Sequence, residues 1–292
     1  MGRLVFTVLA CVAALAGGAR TAAADVPETP HVLVIGDSVG TGITWHTDAV
    51  TVAEQGLHID WEVAVCRRLI GVSCVDAITG EQPPTALDLI DSMTSVPQTV
   101  VVEMGYNDYE DTFAEAVDET MQALVARGAT HVLWLTLHTF LEPYPALNLL
   151  LGDAAARWPQ LELVNWDAWA LGHAADWFQD DGTHLLDKGG VAMAHLIHGS
   201  VVHLFSPLRE LSATLPPLHR GRPYAALLRA AGGTPPYRFG IVAGAPPRGI
   251  HLLADGRIYG EPRSGAALRF AVRLTDADGM SVVTRLRASA AH

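Results

Sequence analysis

Lysine is almost missing from this chain of 292 residues, with Lys188 the single example. Charged residues of every kind make up only 17%, against 50% apolar residues. A chain so poor in charge and so rich in apolar side chains is not disordered; it can bury a sizeable core. Cysteine is scarce too, three in all, which makes a poor zinc site. The glycine-rich stretch GDSVGTG at 36–42 matches neither G-x-G-x-x-G nor a P-loop, so no nucleotide is implied. Long apolar runs are also lacking: Leu4–Ala16 is too short for a membrane span.

That one run has a different reading. It follows Arg3 and precedes the small residues Ala22-Ala23-Ala24, the pattern of a secretory signal peptide over 1–24, cleaved near Ala24. The expectation is a secreted or cell-envelope protein. Cys11 loosely resembles an acylation site, but cleavage there would leave most of the apolar run in place. Cys66 and Cys74 then remain, eight residues apart in CRRLIGVSC. In an exported chain such a pair is most simply a disulfide.

Charge is unevenly spread. Residues 25–206 carry 5 basic and 26 acidic side chains, a net of −21, whereas residues 207–292 carry 12 and 5, a net of +7. The basic C-terminal part could dock on the acidic part or on an anionic polymer outside the cell. By long-range repulsion the acidic part disfavours a highly anionic substrate, and nothing points to nucleic acid.

Between 31 and 205 the pattern alternates. His31–Ile35, Ile59–Val65, Thr99–Met104, His131–Leu137 and Leu161–Asn165 are short runs rich in Val, Leu and Ile. Such runs suit strands covered on both faces. Helical patterns lie between them, at Thr44–Gln55, Thr85–Met93, Thr112–Arg127, Pro145–Arg157 and Asp187–Phe205. The alternation predicts right-handed βαβ units: a three-layer α/β/α domain over 25–206 with five parallel strands. From Leu215 onward Pro and Gly punctuate short alternating runs, among them Leu268–Leu274 and Ser281–Leu286. That predicts a small all-β sandwich over 207–292.

Ligands bind an open parallel sheet at the carboxyl ends of its strands. Three polar clusters fall there: Asp37-Ser38, then Gly105-Tyr106-Asn107-Asp108, then Asp180-Asp181-Gly182-Thr183-His184. Ser38 acts as a nucleophile only if a base takes its proton and donors hold the oxyanion. His184 is the candidate base. Asp181, three residues before it, is the candidate partner of its ring, with Asp180 the alternative. Asn107 and the Ser38 N–H are candidate oxyanion donors. Gly36-Asp37-Ser38-Val39-Gly40 also fits G-x-S-x-G, but a nucleophile elbow needs several strands upstream, and Ser38 follows the first.

The blocks GDS at 36–38, GYND at 105–108 and DGTH at 181–184 together resemble those of the SGNH/GDSL hydrolase family. That resemblance implies a flavodoxin-like fold and carboxylic ester hydrolysis. Ser38 would be nucleophile, His184 base and Asp181 its partner, with Asn107 and Gly105 in the third block and Asp37 in support. The family usually has a glycine in its second block, donating a backbone N–H to the oxyanion. Here Cys66 stands where that glycine is expected, and a Cys66–Cys74 bridge could fix its geometry. The C-terminal punctuation resembles that of bacterial immunoglobulin-like, cadherin-like modules, which implies adhesion or spacing, with extracellular polysaccharide as a candidate contact.

The expected activity is therefore hydrolysis of a small or polymer-borne acyl ester, on carbohydrate or lipid, by a monomer without cofactor or metal. Acyl transfer on the same triad and a non-catalytic binding role remain open. Trp45, Tyr106, Tyr109, Trp177 and Phe178 flank the three blocks and suit either pocket or core. The acids Glu110, Asp111, Glu115, Asp118 and Glu119 read as a solvated helix face, and His195, His198 and His203 do not share one face of their helix.

Overall fold

The computed structural model describes residues 29–212, 215–265 and 267–291. The expected signal peptide and its cleavage point lie outside these residues. Strand β1 (His31–Gly36) leads into helices α1 (Ser38–Thr44) and α2 (Thr47–Ala53), then β2 (His58–Val63) and α3 (Ala86–Ser92). Then come β3 (Thr99–Glu103), α4 (Glu110–Ala126), β4 (His131–Leu135), α5 (Tyr144–Arg157) and β5 (Leu161–Val164). Helices α6 (Trp166–Ala170), α7 (Ala174–Trp177) and α8 (Asp187–Phe205) complete this part.

The five strands form one parallel sheet in the order β2-β1-β3-β4-β5. Its two faces are filled by alternate residues, as the two-residue period of a strand requires. Leu33, Ile35, Val100, Val102, Val132 and Trp134 pack on α3, α4 and α5. Val32, Val34, Val101, Leu133 and Leu135 pack on α1, α2 and α8. Burying each such side chain contributes about 1.5–3 kcal/mol, which is why these near-continuous apolar runs become interior strands.

Local chemistry sets the helix starts. Thr85 and Asp88 form a reciprocal capping box ahead of α3. Glu110 and Asp111 open α4, where carboxylates favour the positive end of the helix dipole. Within the expected acidic face, Asp118 is engaged: it accepts from Arg157 Nη2 at 2.9 Å and Trp158 Nε1 at 2.7 Å, tying α4 to α5.

The helices differ from expectation in two places. The helix expected over Thr44–Gln55 is the shorter α2, preceded by an unexpected helix, α1, that begins at Ser38 itself, and the short helices α6 and α7 occupy the segment expected only to connect β5 to the third polar cluster. SVGTGIT is a weak helix former, with two glycines and β-branched residues. Its helicity rests on Asp37, whose carboxylate caps it through the Val39 N–H at 2.9 Å.

After α8 every regular element among the described residues is a strand. Arg238–Gly244, Leu268–Thr275 and Ser281–Ala288 form one antiparallel sheet; Tyr224–Leu227, Arg257–Gly260 and Ile250–Leu252 form another. Phe239, Ile250, Ile258, Leu268, Phe270 and Leu286 share a separate core.

The two parts meet through the turn Asp276–Met280. A side chain at Gly199 on α8 would lie 2.7 Å from Asp278, so glycine is what lets the turn approach. Asp278 receives His195 Nδ1 at 2.9 Å and His198 Nδ1 at 2.7 Å. His198 Nε2 lies 2.8 Å from the Gln55 carbonyl. With acceptors at both ring nitrogens, His198 must donate from both, and is a buried imidazolium. Burial opposes that charge, but Asp278 and Gln55 outweigh it and lift the ring above the ordinary histidine value. Burial likewise works to raise Asp278, yet the two histidines hold it below the usual carboxylate range.

The sign of each shift fixes the pH behaviour. The His198 contribution is complete below the ordinary histidine value and is lost as pH rises through the raised one. The Asp278 contribution is complete above about pH 4 and is lost only in stronger acid. Hydrogen-exchange protection at residues 276–280, taken relative to the intrinsic rate at each pH, is therefore expected to rise from strong acid to about pH 5 and fall again in mild alkali. Asp278→Ala leaves the imidazolium unpaired and is expected to cost about 3 kcal/mol in denaturant unfolding at pH 6.

Candidate active site

The site is built where β1 and β3 end. Gly36 closes β1, and Asp37 and Ser38 turn directly into α1. Asp37 is wholly buried and accepts from the Val39 N–H at 2.9 Å and the Tyr106 N–H at 3.3 Å. One carboxylate thus joins the first block to the third. Beside it lies Glu103, the last residue of β3, only 2% exposed. A side chain at Gly40 would come within 2.9 Å of Glu103 Oε2, and one at Gly36 within 2.9 Å of Val63 and 3.3 Å of the same oxygen. The G-x-S-x-G spacing has this physical cause: both glycines clear room for Val63 and a buried carboxyl.

Burial raises Asp37 to about 7, with the Val39 N–H opposing and the charge of Asp108 adding to it. Burial, then the neighbouring charge of Asp37, pushes Glu103 well above the ordinary range. Two buried acids this close do not both ionise, and Glu103 carries the proton at neutral pH. Asp108 is raised to about 6, again chiefly by burial.

Ser38 Oγ lies 3.0 Å from His184 Nε2, and His184 Nδ1 lies 2.7 Å from Asp181 Oδ2. The other Asp181 oxygen accepts the Thr183 and His184 N–H groups, each at 2.9 Å. Burial works to raise Asp181, but these bonds hold it below the usual carboxylate range, so it stays ionised. Gly182 takes φ +67, and a side chain there would run into the Phe140 ring, so glycine shapes this turn. The expected residues Ser38, Asp181 and His184 therefore stand in one hydrogen-bonded line, and Asp181 rather than Asp180 holds the ring.

The second block lies in the loop after β2. Cys66 and Cys74 are bonded, S–S 2.02 Å. Cys66 has φ +69, the one non-glycine residue with positive φ among those described. It sits, as a glycine would, in the left-handed region. Asn107 Nδ2 donates to the Arg67 carbonyl at 3.2 Å, and Asp108 accepts from the Leu69 N–H at 3.0 Å. Block three thus clasps block two. Among the described residues, the Ser38 and Cys66 N–H groups have no protein acceptor.

The flanking aromatics divide. Trp45 is exposed and borders a groove of about 670 Å³ whose wall includes Thr41, Val65, Arg67, Pro83 and Pro84. Tyr109 is exposed beneath the Arg68 guanidinium, 4.0 Å from its ring centre. Phe178 and Trp177 pack on Trp166, and Tyr106 accepts the His138 N–H at 2.9 Å. Three neighbours carried no motif signal: Glu103 inside an apolar run, His138 stacked on Phe178 at 4.3 Å, and Tyr144, edge-on to Tyr106 with ring centres 5.1 Å apart. Only the fold brings them together.

No family model matches the chain, and no curated protein matches it. Among solved structures it is similar to a protein of Agrobacterium tumefaciens provisionally named an arylesterase, at 16% identity and TM-score 0.43, over 59% of this chain and 98% of that one. It is also similar to the tail fibre protein gp63.1 of an E. coli phage, at 12% identity and TM-score 0.43, over 85% of this chain and 34% of that one. A third, a protein of Bacteroides fragilis provisionally named an alpha-galactosidase, has 20% identity and TM-score 0.25, over 29% of this chain and 17% of that one.

The buried acids make a pH prediction. Their raised values mean that the folded chain keeps protons the unfolded chain releases, so stability falls as pH climbs from about 4 through about 7. Glu103→Gln removes one of these protons. Its urea midpoint is expected to fall less than that of the wild type between pH 5 and 8; an unchanged slope would show that Glu103 is not proton-linked.

Proposed function

We propose that the chain is a serine esterase of the SGNH/GDSL type, exported, and acting on acyl esters of carbohydrate or lipid. The observation that carries this reading is the line Asp181–His184–Ser38, with spacings of 2.7 and 3.0 Å. In this reading His184 takes the Ser38 proton as Oγ attacks the ester carbonyl, then returns it to the leaving alcohol. Ionised Asp181 holds the ring and stabilises the imidazolium that forms. The oxyanion is held by the Ser38 and Cys66 N–H groups and by the Asn107 amide. Water, activated by His184, then breaks the acyl-enzyme. The groove beside Trp45 and Arg67 offers room for acyl group or alcohol. The strands after α8 are read as an immunoglobulin-like module over 207–292 that contacts extracellular polysaccharide.

The test is hydrolysis of p-nitrophenyl acetate, butyrate and octanoate. Ser38→Ala is expected to abolish turnover on all three. Asn107→Ala removes one oxyanion donor and is expected to lower kcat by on the order of 10²-fold. Persistent turnover in Ser38→Ala would sink the reading.

A second pair of variants isolates the second block. With Cys74→Ser as common background, Cys66→Gly is expected to keep more activity than Cys66→Ala. The left-handed region costs alanine roughly 1 kcal/mol and glycine almost nothing. Equal activity in the two would show that the backbone at 66 plays no part in the reaction.

A further inference from the structure

At the far end of β1 from Ser38, three side chains converge on one point. His31 on β1 is the register partner of His58 on the edge strand β2. Asp60 lies two residues beyond His58, hence on the same face of the sheet. His31 Nε2 is 2.7 Å from Asp60 Oδ2, and His58 Nε2 is 3.7 Å from Asp60 Oδ1. The two imidazoles stack with centres 4.4 Å apart, 14° from parallel. The three ligand atoms all lie within 4.8 Å of one another.

We propose that His31, His58 and Asp60 form a binding site for a divalent transition-metal ion, zinc foremost. The three donors stand near the separation that such an ion needs. With metal–ligand bonds of about 2.0–2.2 Å, neighbouring donors of a tetrahedron stand roughly 3.4 Å apart. The spacings are 2.7 Å to one carboxylate oxygen and 3.7 Å to the other, and because all three side chains are exposed, a turn of the imidazoles out of their parallel stack would aim both Nε2 lone pairs at one ion. Two imidazoles with one carboxylate suit zinc, copper or nickel and not calcium or magnesium, which take oxygen ligands. The plain alternative is a surface His–Asp pair. It accounts for His31 but leaves no reason for His58 to turn its Nε2 toward the same carboxylate.

The position assigns the role. From His31 to Gly36 is five strand steps, roughly 17 Å, so the ion is remote from Ser38. It clips the edge strand to its neighbour. Edge strands otherwise present unpaired backbone groups to other chains.

The test uses the full chain without a histidine tag, stripped with chelator, then titrated with zinc by calorimetry and with cobalt by visible absorption. One zinc per chain is expected, with the ligand-field bands of a low-coordinate cobalt site. His58→Ala and Asp60→Asn are each expected to weaken binding by more than the about tenfold that losing an outer-shell partner costs. Zinc is expected to raise the urea midpoint of the wild type and of Ser38→Ala, but not of His58→Ala. His58 is highly exposed, so its loss leaves the fold intact. Absence of stoichiometric zinc binding, or unchanged affinity in both variants, overturns the proposal. Neither outcome bears on Ser38.

Discussion

The turn that presents Ser38 depends on burying acid where a sheet would ordinarily bury hydrocarbon. Asp37 follows directly on β1, and Glu103 ends the adjacent strand β3. An ionised carboxylate there is costly unless backbone donors surround it. Asp37 has two such donors, the Val39 and Tyr106 N–H groups. Each bond it accepts fixes one part of the site: Val39 starts α1, while Tyr106 positions the third block. Glu103 resolves its own cost differently, by holding a proton. Room for it exists because positions 36 and 40 lack side chains. The glycines, the acids and the serine are therefore one packing solution and not separate motifs.

A second constraint sits across the site. Cys66 adopts a conformation that L residues avoid, at a cost of roughly 1 kcal/mol or more. A glycine would avoid the cost, but would also leave the loop freer in the unfolded chain and less fixed in the folded one. The disulfide closes that loop covalently, and Asn107 and Asp108 clasp it noncovalently. Rigidity here has a chemical use in the proposed mechanism. An oxyanion donor is effective when it is in place before charge develops.

Much of this was legible in the sequence, and the reasons differ by element. The five strands were legible because fully buried strands are unbroken apolar runs; Thr99–Glu103 and His131–Leu135 lie within a residue or two of the expected spans. The convergence of Ser38, Asp181 and His184 was legible because each follows a strand end or sits in a short polar block. α1 was not, because its helicity is imposed by a cap and by burial and not by propensity. Glu103 was hidden inside VVVEM, where an acid looks like a surface interruption of an apolar run. The His31–His58 pairing needs strand register, and His198 with Asp278 is 80 residues apart in sequence. No local pattern encodes either.

The charge asymmetry shows how bulk numbers mislead about contacts. A basic C-terminal part beside an acidic N-terminal part suggests arginines seated on carboxylates. Among the described residues, the ion pairs that join the two parts run the opposite way: Asp278 of the basic part enters between histidines of the acidic part. The arginines stay outside it. Over distances beyond about 10 Å, water and salt screen net charge, whereas one buried pair at 2.7 Å interacts almost unscreened. Close fit at Gly199 brings the turn in, and the charge that matters is the one the fit delivers. The surplus of arginine is then left facing solvent and takes no part in joining the two parts.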